Sequence, residues 1–179
     1  GIRDDWQWLE FIRVLFRSYG NIFTDNIIRN ITGADYNHLG VETGGEYAIV
    51  GSYGAIVKNN TIIDCKIIST GAGITVIDNS IVENNWVNVT KAGRGIVAAG
   101  SNVVIRNNTV FTEFGSGIYE KDEGSGLLIE NNVITSDSGV GILIEKLSSR
   151  RMPSNVNIIG NTVRTGNKVA IDASGVQAN

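Results

Sequence analysis

The densest run of side chains able to move protons is Tyr119-Glu120-Lys121-Asp122-Glu123, and Glu145 follows about two dozen residues later. Carboxylates on neighbouring rungs of a scaffold can serve as general acid and base, or as acid and nucleophile, on a glycosidic bond. Glu120, Asp122 and Glu145 are therefore the catalytic candidates. The same residues also read as a surface ion-pair ladder, with Glu145 beside Lys121 and Lys146 beside Asp122. The single His, His38, sits in a polar stretch, residues 33–42, with Asp35, Tyr36 and Glu42. That set could hold a metal, form an acid/base pair or contact a sugar, although a lone His in a polar loop is ordinarily just solvated. Tyr36, Tyr47, Tyr53, Trp86, Phe111 and Tyr119 offer ring faces of the kind on which sugars stack. Asp35, Tyr36, His38, Trp86 and Tyr119 are accordingly the substrate-binding candidates.

The elements that must position these groups follow from composition and spacing. The 179 residues include 25 Ile and 18 Val against 7 Leu, with 22 Gly and 20 Asn. Stiff β-branched side chains favour pleated surface, so the chain is β-rich, and Asn in such numbers requires a repeated turn. Hydrophobic content of 42% with 18% charge excludes disorder, and a net charge of −3 without a basic cluster excludes a nucleic-acid footprint. No apolar run reaches the roughly 18 residues of a spanning helix. One cysteine, Cys65, excludes an internal disulfide. Gly1 is not a natural start, so a leader or a longer parent chain is expected ahead of it.

One phrase is rewritten six times: NIFTDNII, AIVKNNTI, SIVENNWV, VVIRNNTV, LLIENNVI and VNIIGNTV. Its second Asn falls at Asn26, Asn60, Asn85, Asn108, Asn132 and Asn161, with the middle repeats 23–25 residues apart. A second phrase recurs about nine residues later as GRGIVAAG, GSGIYEKD, GVGILIEK and KVAIDASG, with GAGITVID an earlier version. Two strand-like phrases per repeat describe one turn of a wide solenoid whose strands stack in parallel, about 4.8 Å apart. Positions three before the Asn (Phe23, Val57, Val82, Ile105, Ile129, Ile158) and two after it (Ile28, Ile62, Val87, Val110, Ile134, Val163) are apolar and should point inward. The Asn should take the left-handed corner and stack its amide into a ladder, while Gly marks another corner.

Outward rows carry the opposite signature. Thr24, Lys58, Glu83, Arg106, Glu130 and Ile159 would alternate in charge along four coils, and Trp86 would stand in a row with Ile27, Thr61, Thr109, Val133 and Thr162. An outward Trp is either a sugar platform or an interface. Glu120 is the anomaly, because strict alternation would bury it in the row of Val76, Ala98, Ile144 and Ala173. Either the strand ends at Tyr119 and turns outward, the expectation adopted here, or Glu120 is a partnered buried acid.

These rungs resemble the right-handed parallel β-helix of pectate lyases, polygalacturonases, alginate epimerases and phage tailspikes, over roughly residues 19–175. The resemblance implies an all-β solenoid of about six coils, with handedness carried over from the family. The chain then divides into an N-terminal capping helix, residues 1–18, and a β-helix domain, residues 19–179. In the first segment Trp8, Phe11, Ile12, Leu15 and Phe16 recur at helical spacing, and Gly20 stops the run. It reads as a plug over the first coil, or alternatively as a membrane-surface or partner helix. The C-terminal end lacks a plug, so a continuation or another subunit is expected to meet the last rung.

Family catalytic motifs are mostly missing. There is no Asn-Thr-Asp, Asp-Asp and Gly-His-Gly series and no Asp-Pro-His-Asp. Arg151-Met152-Pro153 is similar to the Arg-x-Pro of pectate lyases, which adds Arg151 to the substrate-binding set, but the Arg expected three after Pro is Val156. No cofactor is evident from the residues, and Ca²⁺ enters through the resemblance alone. The functional expectation is an extracellular or virion-associated protein that binds a polysaccharide and, if an enzyme, cleaves it as a lyase or glycoside hydrolase. The alternative is a non-catalytic structural or adhesive segment of a fibre, tailspike or surface protein, with a homo-oligomer (trimer) as its expected state, and an intracellular scaffold is a third reading.

Overall fold

The computed structural model describes residues 19–31, 47–67, 71–120, 124–145, 153–174 and 176. These wind into six coils. Coil 1 holds β1 (Ile22–Thr24), β2 (Ile27–Arg29) and β3 (Tyr47–Val50), and coil 2 holds β4 (Ile56–Lys58), β5 (Thr61–Lys66) and β6 (Ala72–Val76). Coil 3 holds β7 (Ile81–Glu83), β8 (Trp86–Thr90) and β9 (Arg94–Ala98), and coil 4 holds β10 (Val104–Arg106), β11 (Thr109–Thr112) and β12 (Ile118–Glu120). Coil 5 holds β13 (Leu128–Glu130), β14 (Val133–Ser136) and β15 (Ile142–Ile144), and coil 6 holds β16 (Asn157–Ile159), β17 (Thr162–Thr165) and β18 (Ile171–Asp172). The first strands of successive coils pair in parallel as sheet A, the second strands as sheet B and the third as sheet C. No helix occurs among the described residues; the expected capping helix lies outside them.

The two inward rows read from the sequence are in register along sheets A and B, and a third, Ile49, Ile74, Ile96, Ile118, Ile142 and Ile171, runs along sheet C. In coils 2–5 these residues are fully buried, and each contributes about 1.5–3 kcal/mol by leaving water. A one-residue slip of sheet A would exchange Val57, Val82, Ile105 and Ile129 for Lys58, Glu83, Arg106 and Glu130, which fixes the register. The charged row is as expected in order, and its ion pairs join neighbouring strands. Glu83 takes both Lys58 (3.2 Å) and Arg106 (2.7 Å).

The turn between sheets A and B divides between two residues the work expected of one. The first of each pair, Asp25, Asn59, Asn84, Asn107, Asn131 or Gly160, takes the left-handed conformation, with φ between 53° and 64°. The second turns its amide inward. From Asn60 to Asn161 each Asn Oδ1 accepts both the main-chain N–H and the Nδ2 of the Asn one coil earlier, as when Asn108 receives Asn85 at 2.9 Å twice. From Asn60 onward each Nδ2 also donates to at least one backbone carbonyl, and Asn108 serves both Val82 and Arg106. A buried amide with its donors and acceptor used rigidifies the corner without an unsatisfied polar cost.

Glycine keeps a corner role ahead of sheet A and takes a second role beside sheet C. A Cβ on Gly95 would stand 2.3 Å from Val110 Cγ1 and 2.4 Å from the Gly117 carbonyl, and Gly73, Gly117 and Gly141 are equally confined. None of these four has positive φ. They are required by close approach of sheet C's backbone to sheet B, and not by turn geometry. The left-handed position two residues before each sheet A strand is shared by Gly20, Gly54, Asn79, Asn102, Gly126 and Asn155.

Candidate functional site

Sheet C carries the described carboxylates of the candidate set, on opposite sides of its plane. Glu120 ends β12, in register with Ala98 and Ile144, and is fully buried. The strand therefore does not turn outward at Tyr119, which corrects the expectation for both residues. The reason is local: Tyr119 belongs to an apolar patch on the outer face with Tyr47, Ala72, Val97 and Leu143, so extending the strand buries its ring. Tyr119 is 3% exposed and is no open stacking platform.

Above Tyr119 lies the Arg94 guanidinium, 4.3 Å from the ring centre. The phenol donates to Glu145 Oε2 at 2.6 Å, the short distance of a charge-assisted O–H···O⁻ bond. Burial, then the hydrogen bond to Glu145 and its charge, push the phenol well above its ordinary range. Tyr119 is thus a fixed donor and not a base. Glu145, expected beside Lys121, instead anchors this ring; Lys121 and Asp122 lie outside the described residues. The trio Arg94–Tyr119–Glu145 joins β9, β12 and the end of β15.

Arg94 also lines an open groove of about 330 Å³ that crosses the turns between sheets B and C in coils 3–6, with Phe114, Ser116, Ser138, Leu143 and Lys168 among its lining residues. From coil 3 to coil 6 the groove runs about 14 Å, at roughly 4.8 Å per coil. Phe114 is 54% exposed, an apolar ring presented to solvent between two cations. Hydroxyls at the end of sheet B clamp these turns. Thr112 Oγ1 donates to the Gly115 carbonyl at 2.7 Å, Ser136 Oγ donates to the same carbonyl at 3.0 Å and accepts from Gly139 N–H at 3.1 Å, and Thr165 Oγ1 donates to the Lys168 carbonyl at 2.6 Å.

The other sequence candidates are distributed elsewhere. Trp86 is 40% exposed on the outer face of sheet B, in the row read from the sequence, and does not border the groove. Asp35, Tyr36, His38 and Arg151 lie outside the described residues. Among the described candidates, the structure joins Tyr119 to Glu145 directly. Sequence reading missed Arg94, Phe114, Ser116, Ser138 and Lys168. A signal was present: Arg94 and Ser116 are the middle residues of Gly93-Arg94-Gly95 and Gly115-Ser116-Gly117, where flanking glycines leave the central side chain prominent.

Among the described residues no group of three or more His, Cys, Asp or Glu converges as a metal site. A family model described as the right handed beta helix region matches residues 67–179. Comparison with curated proteins and with solved structures returns no match.

Proposed function

The chain belongs to the right-handed β-helix family, and from that premise we propose that it is an extracellular or virion-associated protein that binds an extended polysaccharide. The observation that carries this reading is the groove over coils 3–6, parallel to the coil axis. A polymer lying along the axis meets a new set of side chains every 4.8 Å or so, close to the length of a sugar unit. Phe114 offers a ring face, Ser116 and Ser138 offer hydroxyl hydrogen bonds, and Arg94 and Lys168 bracket the ends. Among the described residues, Glu145 is the candidate acid near this surface, and its carboxylate holds Tyr119. The groove supports binding directly, whereas cleavage requires a second carboxylate facing it.

Titration of the protein with neutral and acidic polysaccharides, alongside assays for new reducing ends and unsaturated products, tests the reading. Binding is expected. Phe114→Ala should weaken it about 5- to 10-fold, and Trp86→Ala should leave it unchanged. Absence of binding to every polysaccharide would remove the proposal, and turnover would add catalysis to it. A structural or adhesive role is the second reading, favoured by apolar side chains such as Val133 and Ile159 that stand exposed in outward rows.

A further inference from the structure

Sheet A presents its outer face as two columns, because the middle residue of each three-residue strand points inward. One column is aliphatic over five coils: Ile22, Ile56, Ile81, Val104 and Leu128, then Asn157. Ile22 is 67% and Ile56 36% exposed, and the next three are partly exposed. Beside it, about 7 Å along the strands, runs the second column, Lys58, Glu83, Arg106 and Glu130, bounded by Thr24 and Ile159. A continuous aliphatic stripe on a flat sheet is an interaction surface. The charges beside it determine which partner fits.

We propose that this face is the interface of an antiparallel homodimer, in which sheet A of one chain packs on sheet A of a second copy about a two-fold axis between coils 3 and 4, parallel to the strands. Such an axis keeps each column facing its own counterpart and reverses the order of coils. Lys58 then faces Glu130 of the second copy, Glu83 faces Arg106, and the remaining two pairs follow by symmetry. In the aliphatic column Ile56 meets Leu128 and Ile81 meets Val104. Glu130 forms no ion pair among the described residues of its own chain; the second copy supplies one. The alternatives lack this match. A two-fold along the coil axis through the middle of the face would lay the aliphatic column against the charged one, and equal-height parallel packing of the charged columns would oppose like charges. The face is narrow, so a reversible dimer is expected.

Sedimentation velocity across a concentration series at about 0.15 M salt should show a monomer–dimer equilibrium. Val104→Glu, at the centre of the aliphatic column, should raise the dissociation constant at least about 10-fold while circular dichroism and the melting temperature report an intact solenoid. Lys58→Glu and Glu130→Lys should each weaken the dimer, and the double variant should restore it. Within one chain these positions are three coils, about 14 Å, apart, beyond the roughly 8 Å screening length, so only contact between chains can produce the rescue. A monomer at all concentrations, a trimer, or a double variant weaker than either single one would overturn the proposal.

Discussion

Tyr119, expected as an open ring face, is instead a covered one. Its ring is covered by Arg94 and its hydroxyl is given to Glu145, so its proton is held in the folded state. A phenol raised above its unfolded value near pH 10 contributes stability that is complete below that pH and is lost as pH climbs toward the higher folded value. Thermal melts should therefore show stability falling above about pH 10, and Tyr119→Phe should remove that alkaline slope. Glu83 has the opposite sign. The Arg106 hydrogen bond, with Lys58 second, holds its carboxyl below the ordinary range. Its contribution is present above the unfolded value of about 4.3 and is lost as pH falls through the lower folded value. Glu83→Gln should flatten the acid limb of the same profile. Salt should weaken the effect, since both cations are substantially exposed.

Two adjacent residues in one corner make the test at the scale of the element. Asn107 supplies only a left-handed φ of 56°, so Asn107→Gly should be near neutral and Asn107→Ala should cost about 1–2 kcal/mol. Asn108 accepts two bonds from Asn85 and donates to Val82, Arg106 and Asn132. Asn108→Ala strands several buried polar groups and should cost about 3–5 kcal/mol in denaturant unfolding. Equal losses at both positions would mean that the corner does not divide its roles in this way. Both residues were visible in the sequence as NN pairs, but their separate roles were not. Periodicity says which positions are equivalent from coil to coil, whereas which amide turns inward depends on the path of the corner. The bulge in β5 has the same lesson: Asp64, at φ 53°, is an extra residue that shifts the pairing between Ile62 and Cys65, and only the partner strand β8 reveals it.

Over the whole molecule, stability should be graded along the axis. Inward residues are fully buried in coils 2–5, whereas Phe23 and Ile28 of coil 1 and Ile158 and Val163 of coil 6 are only partly so. In a solenoid each coil is supported mainly by its neighbours. Amide hydrogen exchange should accordingly be slowest for the strands of coils 3 and 4 and faster toward both ends, and uniform protection would contradict that picture. The groove and the aliphatic face are properties at this scale too. Each draws its residues from four or more coils, so neither exists within one repeat.

The solenoid, its coil length, its inward rows and its outward charge order were determined by the sequence alone, because a repeat of about 24 residues stacks like on like and any slip would bury charge. What the tertiary structure decided lies between rows. It set Glu120 inward, roofed Tyr119 with Arg94, gave Glu145 to the phenol and gathered Phe114 and Lys168 into one groove. Periodicity specifies neighbours along the coil axis. Contacts across a corner, between one sheet and the next turn, depend on how far the chain bends there, and that is settled only when the coils close on one another.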